Sequence, residues 1–230
     1  MTMYRLIMFD IDGTLLKTEP EDFFYEAAVC EWLSIESIDK DWSSYEHVTD
    51  YGIAAELYRR IKGHEPSKKE LYDFSEIFFK KWKNRLDRDP TACVPTAGVE
   101  IFLSRLRSLK NISMAIATGG WRSTAKLKFD HCRMQTSDLP MATCDDSPSR
   151  ERIMEIACER ACQKAGLTRF QRSVYFGDGE WDFEAARHLG FDFIGIDNSK
   201  RKEAIMRSGG KYVFEDFTDS QQIIDLIVTQ

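Results

Sequence analysis

Long apolar runs are missing from this chain. None approaches the roughly 20 residues that a membrane-spanning helix needs, so no spanning segment is expected. Positive charge is not in excess either: 32 Lys and Arg against 38 Asp and Glu give a net charge of −6, and no broad field exists to hold a nucleic acid. The four histidines (His47, His64, His131 and His188) share no ligand spacing and give no ground for a zinc centre. Cysteine occurs six times without a CxxC pair, and no cleavable export segment is recognised. The thiols therefore read as reduced, in a cytoplasmic protein. Cys158 and Cys162, one helical turn apart, read as small core residues. What is left, 230 residues with 43% hydrophobic and 30% charged, is an ordinary globular composition with chain enough for a core and an insertion.

Brief apolar runs predict strands at 5–9, 113–117, 173–176, 193–196 and 212–214, with a shorter one at 141–144. Between them lie helical stripes such as Val99, Phe102, Leu103, Leu106 and Leu109, or Ile153, Ile156, Ala157 and Ala161. Strand alternating with helix predicts an α/β fold with a doubly wound parallel sheet. Residues 17–95 break the pattern. They carry helical stripes (Leu71, Phe74, Phe78, Trp82, Leu86), no convincing strand, and 13 of the 28 aromatic residues, which predicts an all-helical insertion after the first strand. Residues 1–16 and 96–230 then form the Rossmann-like core. The cluster Lys80, Lys81, Lys83, Arg85 and Arg88 reads as a solvated helix face.

A parallel sheet gathers ligand groups beyond the carboxyl ends of its strands. Three such ends carry chemistry here. Asp10 and Asp12 follow the first strand, Thr118-Gly119-Gly120 follow the strand ending at Ala117, and Asp178 follows Phe176-Gly177. Two carboxylates so close at a buried strand end repel one another and lose hydration, so they call for a bound cation or a shared proton. Singly, each motif is an ordinary turn or strand-to-helix connection. Their convergence is what points to a site.

Asp10-Ile11-Asp12-Gly13-Thr14-Leu15 resembles the first motif, DxDGT[L/V], of the haloacid dehalogenase-like phosphohydrolases, and Gly177-Asp178-Gly179-Glu180-Trp181-Asp182 resembles their GDxxxD motif. Their phosphoglycolate phosphatase-like branch carries a helical C1-type cap where this chain has its insertion. The resemblance implies Asp10 as nucleophile and Asp12 as acid–base, with Thr118 and Gly119 binding phosphate. It also implies Mg2+ held by Asp10, the Asp12 backbone carbonyl, Asp178 and Asp182. The family's third motif is a cation at the start of a later helix, and here the match is looser. Ser147-Pro148-Ser149-Arg150-Glu151-Arg152 reads as a Ser147 cap with Pro148 in the first turn, and Arg150 projects nearer the apolar stripe than Arg152. Arg150 is therefore the expected phosphate-binding cation. His47, Thr49 and Asp50 lie in a cap loop within reach of substrate, though turn and capping chemistry explains them as well.

The expectation is a Mg2+-dependent phosphatase acting on a small phosphorylated metabolite through an aspartyl-phosphate, without nucleic acid or membrane as partner. A phosphosugar mutase of the same family is the alternative within enzymes. A phosphoacceptor or ligand-binding module without turnover is the alternative outside them.

Overall fold

A computed structural model describes residues 3–18, 21–197 and 200–229. The predicted alternation condenses there into one parallel sheet of six strands, among the described residues, with order β5-β4-β1-β6-β7-β8. These are β1 (Arg5–Phe9), β4 (Ile112–Ala117), β5 (Met141–Ala142), β6 (Arg172–Gly177), β7 (Asp192–Ile196) and β8 (Val213–Phe214). All six strand runs read from the sequence are present, and every neighbouring pair in this sheet is parallel. Phe9 stands opposite Ile116 on one side and Phe176 on the other. Asp10, Thr118 and Asp178, which follow those residues, consequently leave the sheet at a single edge.

The helices α4 (Val99–Ser108), α5 (Arg122–His131), α6 (Arg150–Ala165), α7 (Glu180–His188), α8 (Lys200–Arg207) and α9 (Ser220–Thr229) complete the core. Phe9, Phe102, Phe176 and Phe217 form its aromatic centre, with Phe9 and Phe176 5.1 Å apart and Phe102 and Phe217 4.9 Å apart between ring centroids. All four are buried, and burying each aromatic ring contributes on the order of 2–3 kcal/mol. The start of α6 differs from the sequence reading. Its cap is Ser149, whose hydroxyl accepts the Arg152 N–H, while Ser147 accepts the Ser149 N–H one turn earlier. Pro148 therefore lies before the helix and not in its first turn.

Residues between β1 and β4 hold α1 (Glu21–Leu33), α2 (Asp50–Lys62) and α3 (Lys68–Arg88). The predicted stripe of α3 is buried at all five positions, and the Ser67 and Glu70 side chains cap its start reciprocally. Phe24 packs on Trp82 and Tyr25 on Phe74, at 5.0 and 5.5 Å. The basic cluster lies along the outer side of α3, where Lys83 pairs with Asp87 and Lys81 with Glu31. The insertion is not all helical, however. Its two ends form an antiparallel ribbon in which β2 (Leu16–Thr18) pairs with β3 (Cys93–Pro95), Leu16 opposite Pro95. Each strand has three residues and buries only one, too short a pattern for periodicity to register. Beside the ribbon the free thiols of Cys93 and Cys132 share a hydrogen bond at 3.6 Å and form no disulfide. No helix among the described residues is long and apolar enough to cross a membrane.

Candidate active site

The first group out of β1 is Asp10. Its backbone is tied to β6 by an N–H donated to the Phe176 carbonyl at 2.9 Å, and its carboxylate is buried yet accepts no hydrogen bond from a described residue. Burial, and then the nearby Asp182, push its carboxyl well above the usual range, while Arg150 at 3.6 Å pulls the other way. Asp178 is pushed up to about 7 by burial, against the counter-pull of Arg201. Asp10, Asp178 and Asp182 each bring one carboxylate oxygen to within 4.8 Å of the others, all three side chains being buried. Such a concentration of oxygen ligands, three carboxylates against the two guanidinium groups of Arg150 and Arg201, suits a hard divalent cation.

Asp182 has another employment as well. One of its oxygens accepts the N–H groups of Asp178 and Gly179, both at 3.1 Å, and the other accepts from Arg150 at 2.8 Å with the Tyr175 hydroxyl at 3.3 Å. A carboxylate offers about four lone-pair sites, so Asp182 is nearly saturated and serves mainly to shape the Asp178 loop and orient Arg150. Gly13, at φ +79°, closes that loop from the other side: a Cβ there would stand 2.0 Å from an Asp178 oxygen. Asp12 lies outside the three-carboxylate cluster. Its Oδ1 pairs at 2.7 Å with Lys128, a fully buried lysine on α5.

Arg150 joins the two halves of the site. Besides Asp182, it donates to the Val48 carbonyl at 2.9 Å, in the loop before α2. That loop is seated on the Thr118-Gly119-Gly120 turn. Asp50 N–H donates to the Gly119 carbonyl at 2.9 Å, the Asp50 carboxylate accepts the Trp121 N–H at 3.2 Å, and the Thr49 hydroxyl donates to the Pro148 carbonyl at 2.8 Å. Thr118 is buried, and its hydroxyl accepts the Gly120 N–H at 3.2 Å, leaving its own proton to offer. Gly119 permits the close packing of Arg150, since a Cβ there would meet its Nη2 at 2.5 Å. Together these groups surround a cavity of about 470 Å3, whose remaining wall includes Tyr25, Trp42, Ile53 and Trp181.

The sequence profile of haloacid dehalogenase-like hydrolases matches residues 7–196 of the chain. This chain belongs to the haloacid dehalogenase-like hydrolase family. Among curated proteins none matches it in sequence. Solved structures with the same fold include a hydrolase from Pseudomonas syringae, 20% identical with a TM-score of 0.69, over 96% of this chain and 98% of that one. A putative beta-phosphoglucomutase from Bacteroides vulgatus is 14% identical (TM-score 0.67, 99% and 91% of the two chains). A predicted phosphoglycolate phosphatase from Haemophilus somnus is 18% identical (TM-score 0.58, 97% and 99%).

Within this haloacid dehalogenase-like chain, the structure brings Asp10, Asp12, Thr118, Gly119, Arg150, Asp178 and Asp182 to one edge of the sheet. Of the two arginines weighed for the cation, Arg150 enters the site. Arg152 pairs with Glu155 and Glu159 on the outside. Thr49 and Asp50 line the cavity and His47 does not. Three contributors were not read from the sequence. Lys128 sits among the polar neighbours Lys126, Asp130 and His131 and looks solvated, Tyr175 looks like one more apolar strand residue, and Arg201 belongs to no motif. Only the burial of Lys128 inside a helix that also buries Thr124, Ala125 and Phe129 marks it out.

Proposed function

We propose that the chain is a Mg2+-dependent phosphatase that hydrolyses a small phosphorylated metabolite through an aspartyl-phosphate on Asp10. The observation that carries this reading is the state of Asp10: a buried carboxylate that accepts no hydrogen bond from a described residue, set between Arg150 and the carboxylates of Asp178 and Asp182. A bond from an Asp10 oxygen to phosphorus forms as the ester bond breaks, and Asp12 gives its proton to the departing oxygen. Water then attacks the phosphorus, Asp12 takes the water's proton, and the Asp10 carboxylate leaves. Thr118, Gly119 and Arg150 bind the phosphoryl oxygens. The buried Nε of Arg150, which has no partner among the described residues, is a further donor for an anion. Mg2+ held by Asp10, Asp178 and the Asp12 carbonyl would neutralise the charge that develops on the phosphoryl group. Asp182 supports it by orienting Asp178.

Residues 17–95 serve in this reading as the cap, and residues 1–16 and 96–230 as the catalytic core. Among the described residues, the cap gives the cavity Thr18, Tyr25, Trp42, Val48, Thr49, Asp50 and Ile53, with no cation among them. A mutase that carries phosphoryl groups at both ends of a sugar would need one there, which favours hydrolysis. The free thiols accord with a reducing, cytoplasmic setting.

The test is release of inorganic phosphate from a panel of phosphorylated metabolites. With Mg2+ the protein should turn over at least one of them, chelator should stop it, and Asp10→Asn should slow it by roughly 10^4-fold. Equal turnover by Asp10→Asn would overturn the reading.

A further inference from the structure

Lys128 calls for an explanation because its position is expensive. It is 1% exposed, and a buried ammonium persists only where partners replace its water. Two are in place. The Asp12 carboxylate lies at 2.7 Å, and the Trp82 ring, reaching over from α3, lies 4.2 Å from the ammonium. Lys128 itself is not on the cavity wall, whereas Asp12 is. Whatever Lys128 does for substrate therefore passes through Asp12.

The two oxygens of Asp12 face different ways. Oδ1 is held by Lys128, and Oδ2 lies near the Gly120 backbone, 3.9 Å from where a Cβ on Gly120 would stand. Gly120 borders the cavity next to Thr118 and Gly119. Rotation about the last torsion of an aspartate is soft and nearly two-fold, so an unanchored Asp12 would present its oxygens over a wide arc. A fixed ammonium on one oxygen removes that freedom and keeps the other aimed at the cavity.

We propose that Lys128 is the positioning residue of Asp12, gripping Oδ1 so that Oδ2 stands where a leaving-group oxygen must receive its proton. This rests on the phosphatase reading above and adds to it a residue outside the motifs that carry that reading. It also gives the helical insertion a part in the chemistry, since Trp82 forms one wall of the lysine's slot. A lysine that merely fills the core would leave no mark on how the enzyme treats different leaving groups.

The experiment is kcat/KM for a series of ring-substituted phenyl phosphates, which share one shape and differ in how much the departing oxygen needs a proton. In Lys128→Met, phenyl phosphate itself should lose roughly 30-fold and p-nitrophenyl phosphate less than about 3-fold, within the range that positioned acids supply. In an Asp12→Asn background, Lys128→Met should leave that ratio unchanged. Equal losses across the series in a Lys128→Met protein that melts like the wild type would overturn the proposal. Should Lys128→Met not fold, Lys128→Arg decides. A retained charge with a longer reach should still shift the ratio between the two esters, and an unchanged ratio overturns the proposal. Absence of phosphate release by the wild type from any ester would sink the hydrolase reading and this proposal together, whereas a proposal failing alone leaves the wild type active and abolished by Asp10→Asn.

Discussion

Gly13 shows how tightly single residues are specified at the site. Its φ of +79° is reached by other residues only at a cost of about 1–2 kcal/mol, and its missing side chain is the space into which Asp178 packs. Gly13→Ala should therefore lower Mg2+ affinity at least about tenfold, as read by calorimetric titration, beyond any loss in melting temperature. Unchanged affinity would show that the Asp178 loop has another way to settle. The acidic motif residues were legible in the sequence because strand ends and short spacings survive in one dimension. Lys128 and Tyr175 were not, because their roles depend on which side of an element faces inward. A lysine written between Leu127 and Phe129 carries no sign of its burial, and the Tyr175 hydroxyl gains its meaning from the Ala117 carbonyl, 2.9 Å away on another strand, and from Asp182 at 3.3 Å.

Among the elements, α3 is the one whose stability is tied most clearly to pH. Glu70 accepts from the Tyr58 hydroxyl and from Ser67, and these bonds hold its carboxyl down from 4.5 to about 2. A lowered value in the folded state adds stability that is complete above about 4.5 and fades as pH falls toward 2. Melting temperatures recorded from pH 5 to pH 2 should therefore drop more steeply for the wild type than for Glu70→Gln, and parallel curves would refute the assignment. The helices of the insertion were legible through their stripes, because 3.6-residue periodicity accumulates over a length such as that of α3. The β2–β3 ribbon was not. Three residues per strand give alternation no room to show, and the pairing joins residues far apart in the chain. The position of the α6 cap missed for a related reason, since Ser147 and Ser149 are equivalent until the fold decides which one meets a free N–H.

At the scale of the molecule, core and insertion meet around the cavity, through the Arg150–Val48, Asp50–Gly119 and Thr49–Pro148 hydrogen bonds. Ligand bound between them should stabilise both as a unit. Inorganic phosphate with Mg2+, at about 100 times its Kd, should add about 2.7 kcal/mol and raise a single melting transition by roughly 5–10 °C. Chelator should reverse the shift, and no change in the melt would argue against a phosphate site. The ribbon at the base of the insertion bears on how such a molecule assembles. Arg5 must find Ile112 across the whole insertion, and loop closure becomes harder as the intervening chain lengthens. Because Leu16 pairs with Pro95, and Thr96 donates its hydroxyl to the Thr14 carbonyl at 2.7 Å, a ribbon formed early shortens the effective tether and lowers that closure cost by about 1 kcal/mol. Thr96→Ala should then slow refolding more than it hastens unfolding in stopped-flow measurements. The detour through three helices would in that case be a shortcut for the sheet, its two ends clasped before the strands on either side have met.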